Sequence, residues 1–370
     1  MSTETAVARR EAVEGPVLVI GTGLIGASVG LALRRAGVDV LLSDVDDENL
    51  RLAGEAGAGR ALEGDDVPVL VVVAVPPRNA PAVLAEASRR HPAATLTDVT
   101  SVKEGVIAEA LSAGADPRRL VGGHPMAGRE VSGSAGARKE LLDDRLWVIT
   151  PLAESEPEHV ARVRRLAETC GAVPVEMSLA EHDAAVALVS HTPQVVSSVL
   201  AGRLADYETA YVRIAGQGLR DMTRIAASNA DLWWDILTAN AGQVADVLDG
   251  VIADLASTQA ALRAVAAGEA DGEGQVRRVL EAGRAGQALI PGKHGAPTTD
   301  FREITVQIAD KPGELGRLFS AVGVAQVNLE DLRIEHVLGR PSGLVALYVQ
   351  PDSADRLIEA LQALSFDVRS

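Results

Sequence analysis

Gly21-Thr22-Gly23-Leu24-Ile25-Gly26 is the stretch that most limits how this chain can fold. The apolar run Pro16 to Ile20 precedes it and reads as a buried parallel strand; a helical pattern through Leu33 to Ala36 follows. A Gly-x-Gly-x-x-Gly run means little alone, but between a strand and a helix it forms a phosphate-binding turn. Gly21 permits the tight turn, Gly23 lets the backbone approach a pyrophosphate, and Gly26 allows close helix packing. The helix start, with Thr22, Leu24 and Ile25, offers free N–H groups and a positive dipole end. A second strand, Val38 to Ser43, ends at Asp44, about 20 residues beyond the glycines, where a carboxylate takes ribose hydroxyls. A carboxylate there repels a 2′-phosphate, which favours NAD over NADP. A plainer role stays open for Asp44, as a helix cap beside Asp46 and Asp47.

The alternation of strands and helices continues. Val69 to Val75 is a buried strand closed by Pro76 and Pro77, which lack the N–H groups a ladder needs. Val75 and Pro76 thus stand at the carboxyl edge of a parallel sheet, where ligands bind. Asn79 to Arg90 reads as a helix and Ala94 to Val99 as the next strand. Ser101 is then either the N-cap of a helix or a ligand contact. Lys103 is either a surface lysine or part of an anion or cofactor site. The segment Gly122 to Glu130 reads as a loop, holding His124, Arg129 and Glu130 among glycines and a proline. A helix from Pro157 to Thr169 separates the last strand candidates, Arg145 to Thr150 and Ala172 to Val175. Residues 15–176 therefore form a doubly wound α/β domain, after a disordered leader at 1–14.

Helical spacing dominates residues 177–289. Glu181 to Leu204 reads as one long helix kinked at Pro193, which removes a backbone hydrogen bond. His191 on it is a packed histidine or a ligand contact. Arg220 and Arg224 lie four residues apart, on one helical face. They are a solvated basic face or a carboxylate fork, with Trp233 and Trp234 nearby favouring the fork. Val244, Val247, Leu248, Val251, Ile252 and Leu255 recur as a wide apolar stripe, suited to a core or to a homodimer interface. Residues 290–300 read as a linker. Residues 301–370 follow in the order βαββαβ, a ferredoxin-like unit.

Composition narrows the function. The net charge of −16 argues against a nucleic-acid partner. The single cysteine excludes an internal disulfide and a cysteine zinc cluster, and no metal is expected. No run is expected to approach the ~20 apolar residues of a membrane span, and the N-terminus has no signal-peptide core. The expectation is a cytoplasmic protein acting on a small molecule.

Two resemblances converge on these residues. Asp310-Lys-Pro-Gly-Glu-Leu-Gly-Arg-Leu-Phe319 with Val327 to Glu335 resembles an ACT domain, the small module that binds amino acids for feedback control. Gly313, Leu315 and Asn328 match that family's ligand positions, which implies tyrosine as effector. Residues 1–290 resemble the prephenate/arogenate dehydrogenase family of tyrosine biosynthesis. The match lies in Gly21 to Gly26, Ala74 to Pro77, Asp98 to Lys103, Gly123 to Gly128 with Glu130, Val189 to Pro193, and Arg220 to Arg224 with Trp233. It implies a Rossmann-type domain and an all-α dimerisation domain, with NAD as cofactor and prephenate or arogenate as substrate.

By that resemblance His124 is the base that takes the proton of the substrate 4-hydroxyl, or the hydrogen-bond acceptor that polarises it, as suits a neutral imidazole near pH 7. Ser101 orients the hydroxyl, Arg224 binds a substrate carboxylate with Asp221 holding it, His191 and Trp233 contact the substrate, and Glu130 gates or orients the site. Gln194 and Gln217 depart from the family pattern, near the end that separates prephenate from arogenate. A rival reading, a β-hydroxyacid dehydrogenase or imine reductase, would use a helical lysine, and Ser178 to Leu289 contains none. A non-enzymatic amino-acid sensor would not need the intact glycine turn, Asp44 and His124 together.

Overall fold

Val17–Ile20 (β1) lies at the centre of a five-stranded parallel sheet, and its three leading residues are buried. A strand covered on both faces carries apolar residues at consecutive positions, as this one does. The computed structural model describes residues 12–127, 136–269, 272–290, 301–336 and 342–369. After β1 come α1 (Leu24–Arg35), β2 (Val40–Ser43), α2 (Asp47–Glu55), β3 (Arg60–Ala61), β4 (Leu70–Val73), α3 (Ala80–Arg90) and β5 (Thr95–Asp98). The sheet order is β3-β2-β1-β4-β5. The chain reverses direction across the sheet between β1 and β4, and the glycine turn sits at that switch point. Val17 and Val19 pack on one face with Leu33 and Leu166. Leu18, Val71 and Leu96 pack on the other with Leu84 and Ile107.

Beyond α4 (Glu104–Ser112) the sheet departs from the simple parallel expectation. A second sheet holds β6 (Val121–Pro125), β7 (Leu146–Pro151) and β8 (Val173–Glu176), with α5 (Pro157–Thr169) between the last two. Strand β6 pairs antiparallel with β7, and a parallel bridge from Leu96 to Leu120 joins it to the first sheet. The segment expected as loop from Gly122 is therefore strand as far as Pro125. Its glycines answer to crowding, not to a turn. A Cβ on Gly122 would lie 2.3 Å from Thr150 Oγ1, and one on Gly123 2.7 Å from the Asp98 carbonyl oxygen. The leader expectation also needs correction. Val13 is 2% exposed in the core and its N–H donates to Thr169 Oγ1, so the ordered fold reaches back into residues 12–14.

The helical region starts at Ser178, which forms a reciprocal cap with Glu181. Helix α6 (Leu179–Val186) passes into a π-helical turn, Ala187–His191, and then α7 (Thr192–Arg203). The predicted kink is this wide turn: the Thr192 N–H reaches the Ala187 carbonyl, and Pro193 sits in the first turn of α7, where its missing N–H costs nothing. The continuous run Leu179–Asp206 is 28 residues long and holds an 18-residue stretch with a mean hydropathy of 1.4, long and apolar enough to cross a membrane, contrary to the expectation from sequence. Its polar side chains His182, Asp183, His191 and Gln194 are buried within the protein, while Leu188, Val189 and Val199 are exposed. There follow α8 (Thr209–Val212), α9 (Gln217–Thr223), a 3₁₀ turn at Arg224–Ala227, α10 (Ala230–Ala239) and α11 (Ala241–Ala266). Asn229 caps α10 by accepting from the Leu232 N–H, as its position predicts.

The chain divides into two units, through Val251 and from Ile252, a break that falls inside α11. In the second unit the rest of α11 contacts α12 (Gly272–Gln287), with Gln275 Nε2 donating to Ser257 Oγ at 2.8 Å. Ile252 and Leu255 of the apolar stripe are exposed there, while Val244, in the first unit, is buried. The linker lies mostly outside the described residues. Then come β9 (Arg302–Ala309), α13 (Glu314–Val324), β10 (Asp331–His336), β11 (Ser342–Val349), α14 (Pro351–Ala363) and β12 (Asp367–Arg369). The sheet order β10-β11-β9-β12, all antiparallel, is the ferredoxin-like arrangement the pattern predicts. Its core is Ile304, Val306, Leu318, Val345, Leu347, Leu357 and Leu361. Phe319 of α13 is 40% exposed.

Candidate active site

The glycine turn has the shape the sequence implies. Gly21 has φ +96°, and a Cβ there would lie 2.5 Å from the Ala74 carbonyl oxygen. Gly23 faces open space. Gly23 caps α1 without a side-chain hydrogen bond, and no acidic residue lies in the first turn. That leaves a helix N-terminus electrostatically open to phosphate. Leu24 and Ile25 are half-buried beside it, and Val75 packs against Gly21 at the end of β4, next to the exposed Pro76. Asp44 takes neither of the simple roles alone. Its Oδ2 accepts from the Thr22 N–H (2.6 Å) and hydroxyl (2.7 Å), and Oδ1 from the Asp46 N–H. Asp46 is the cap of α2. Burial pushes the Asp44 carboxyl up, but these donors outweigh it and hold it below its ordinary range. It is an anion that braces the turn.

A cavity of about 430 Å³ lies within the first unit. Of the expected residues, Ser101, His124, His191, Gln194 and Trp233 line it, together with Met126, Ser190, Ile225, Ser228, Asn229 and Ile236. Strand β6 brings His124 to the wall. Its Nδ1 lies 2.8 Å from His182 Nε2, and His182 Nδ1 lies 2.7 Å from Asp183 Oδ1. Asp183 also accepts from the backbone N–H groups of Lys103 and Glu104, both at 2.8 Å, and so caps α4. The helix that Ser101 could have capped is thus capped from elsewhere, and Ser101 lines the cavity. Asn240 Nδ2 donates to the Asp183 carbonyl at 2.8 Å and lies 3.2 Å from His191 Nδ1. His191 meets Trp233 edge-on at 6.1 Å, and Gln194 Nε2 donates to the Ile225 carbonyl at 3.0 Å.

Other expected residues lie elsewhere. Lys103 is fully buried, with Nζ donating to Asp98 and, at 2.9 Å, to Thr100 Oγ1, so it is not a surface lysine. Asp98 in turn accepts from the Gly123 N–H, which ties the pair to the strand of His124. Arg224 is exposed at the head of the 3₁₀ turn that supplies Ile225 to the cavity, and it is not a lining residue. Helix α9 ends at Thr223, so Arg220 and Arg224 do not share an α-helical face. Gln217 Nε2 donates to Asp221 at 2.7 Å on the exposed side of α9. Glu130 lies outside the described residues. In the second unit, Gly313 and Leu315 line a pocket of about 190 Å³, whereas Asn328 is exposed and donates to Glu330. Gly313 there has φ +93°, which glycine adopts freely. Glu156, Glu158 and His159 form the one group with metal-ligand proximity among the described residues.

Comparison with known proteins fits this geometry. Residues 29–176 match the family model of the prephenate dehydrogenase nucleotide-binding domain, and residues 178–279 that of its dimerization domain. A protein of Streptomyces niveus named "Probable prephenate dehydrogenase NovF" is 35% identical over 95% of this chain and 99% of its own length. The chain belongs to the prephenate dehydrogenase family. Prephenate dehydrogenase of Bacillus subtilis is 27% identical over 93% of this chain and 95% of its own. Among solved structures, prephenate dehydrogenase of A. aeolicus, in complex with hydroxyphenyl propionate and NAD+, superposes with a TM-score of 0.65 at 27% identity. That match covers 73% of this chain and 96% of the other. Synechocystis arogenate dehydrogenase superposes with a TM-score of 0.62 at 26% identity, covering 73% of this chain and 98% of the other.

The electrostatics of the cavity wall in this family member favour neutral imidazoles. His124 has its protonation pushed well below the ordinary range, first by burial and then by the neighbouring His182, Lys103 and His191. His191 is lowered to about 4, chiefly by burial. Burial pushes the Asp183 carboxyl up, but His182 and the N–H groups of Glu104 and Lys103 outweigh it and hold it below the usual range. His182 and Asp183 are not marked by the sequence motifs. The one signal is an adjacent His-Asp pair, just after the capping Glu181, on a helix whose other residues are apolar.

Proposed function

We propose that the chain is an NAD-dependent prephenate dehydrogenase that converts prephenate to 4-hydroxyphenylpyruvate, with His124 as the proton acceptor. The observation that carries this reading is the His124 imidazole on the cavity wall, its Nδ1 2.8 Å from His182 Nε2, in the same unit as a strand-turn-helix suited to a dinucleotide. The glycine turn, the uncapped N-terminus of α1 and Asp44 fit NAD, with the carboxylate disfavouring a 2′-phosphate. Bound NAD+ supplies the acceptor for the hydride from C4 of the substrate. His124 takes the proton of the 4-hydroxyl as that hydride leaves. Loss of CO₂ then restores the aromatic ring, and the proton returns to the phenolate oxygen. Ser101 orients the hydroxyl, Trp233 and Ile236 give the ring an apolar wall, and Arg224 serves a substrate carboxylate from the turn that carries Ile225. His191 and Gln194 contact the substrate, and Glu130 gates the site.

The names of the relatives favour prephenate over arogenate. The dimerization-domain match and the exposed Ile252 and Leu255 support a homodimer. Tyrosine binding to an ACT-type C-terminal module, through Gly313, Leu315 and Asn328, would give feedback inhibition, and the pocket lined by Gly313 and Leu315 supports it. The expected place of action is the cytoplasm. NADH formation with prephenate and with arogenate, each with and without tyrosine, tests the reading. Turnover of prephenate with inhibition by tyrosine is expected; no turnover of either substrate would overturn it. His124→Asn should lower kcat by about 10²–10⁴-fold while NAD still binds.

A further inference from the structure

We propose that His182 and Asp183 are positioning residues that fix the tautomer of His124 and share the proton it collects; this rests on His124 being the proton acceptor. The hydrogen-bond chain leaves little freedom. Asp183 accepts at both oxygens, from two backbone N–H groups at the start of α4 and from the His182 side. An ionised carboxylate is acceptor-only, so His182 must donate to it from Nδ1. A neutral His182 then has a bare Nε2, and His124 must donate to that atom from its own Nδ1. The consequence at the cavity is a His124 whose Nε2 carries a lone pair, the form that accepts a hydroxyl proton.

The same chain accommodates the charge that follows. As the hydroxyl proton arrives at His124 Nε2, the Nδ1 proton can pass to His182 Nε2. The positive charge then lies on His182, which keeps its Nδ1–H bond to the anionic Asp183. The proton returns by the reverse path when the phenolate forms, so none is gained or lost. The charged and titratable groups around this path are few. Lys103 works against a cation on His124, while His191, its pKa lowered to about 4, is neutral near pH 7. Asp98 pairs with Lys103, and Asp183 is the carboxylate behind His182. The Asp183 carboxylate lies directly against His182 and one ring away from His124. Asn240 bonds the Asp183 backbone and contacts His191, which holds this corner together. His182 and Asp183 are 0% and 1% exposed, so water does not substitute for either partner.

The test uses the full-length protein labelled with ¹⁵N-histidine, with the His124 signals assigned by their loss in His124→Asn. Near pH 7, His124 should be protonated at Nδ1 and bare at Nε2. His182→Leu should lower kcat by about 10²-fold, with the prephenate KM changed by less than about threefold. His182→Gln, whose amide oxygen can accept the Nδ1–H bond, should recover a large part of that loss and keep the tautomer. A wild-type His124 protonated at Nε2, or a His182→Leu enzyme with wild-type kcat, would overturn the proposal. If His182→Leu does not fold, the wild-type spectrum and the His182→Gln rate decide it. A His124→Asn enzyme with undiminished kcat would instead sink the assignment of His124 itself, whatever the tautomer.

Discussion

His191 should make this fold sensitive to mild acid, by an amount that its burial sets. Its ring is 1% exposed, packed edge-on to Trp233 and contacted by the Asn240 amide. Burial, reinforced by His182 and opposed by Asp183, lowers its pKa from 6.5 to about 4. Above pH 6.5 the ring is neutral in both folded and unfolded chains and contributes no pH dependence. Between 6.5 and about 4 the unfolded chain binds a proton that the folded chain refuses, so stability falls as pH falls. Below that both states are protonated and the loss is complete. A tenfold weakening of proton affinity corresponds to about 1.4 kcal/mol, so the full loss is about 3 kcal/mol. For a unit of this size that is a drop in Tm of about 6–12 °C. Thermal melts of wild type and His191→Gln near pH 7 and near pH 4.5 isolate the contribution, because the other titrating groups are common to both. Wild type should lose about 2–3 kcal/mol more than the variant over this range. Parallel losses in the two proteins would refute the reasoning.

Three further substitutions test other links. Lys103→Met leaves Asp98 charged and buried without its cation, which should cost about 3–5 kcal/mol in urea unfolding; Asp98→Leu in the same chain should restore much of it. Asp44→Asn removes the anion at the end of β2 and should raise the KM for NAD by about tenfold while narrowing the preference over NADP, as steady-state kinetics with both cofactors would show. Gly21→Ala forces a side chain into a left-handed backbone 2.5 Å from the Ala74 carbonyl oxygen, and should abolish NAD binding in fluorescence titration.

What the sequence made legible was what depends on neighbours in the chain. The glycine turn, Asp44 at the end of β2 and the Asn229 cap all follow from spacing and local backbone needs. The ferredoxin-like unit was legible because its strands alternate and its helices show one apolar face. Contacts between distant segments were not. His124 and His182 are 58 residues apart, and Lys103 meets Asp183 across 80. No local pattern marks Asp183 as the cap of α4, and so none could choose between the two roles of Ser101. The fate of Lys103 was hidden for the same reason: whether a lysine is a surface charge or a buried partner depends on what covers it. Gly122 and Gly123 look like a turn in sequence because glycine serves both flexibility and close approach, and only the packed neighbours tell them apart.

The wide turn at Ala187–His191 has a consequence for how this site can be altered. An α-helix advances about 100° per residue, so nine steps from His182 would set His191 on roughly the opposite side. One supernumerary residue in the turn brings it back to within about 80°, and both rings reach the same interior. The site is therefore indexed by an insertion, like a gear cut with one extra tooth. Removing Leu188, which is 60% exposed and offers little to the core, would let the helix close into regular α geometry. Such a deletion would mend the helix and leave His191 and Gln194 at the angle they hold now, whereas regular α geometry without a deletion would turn both away from the chemistry.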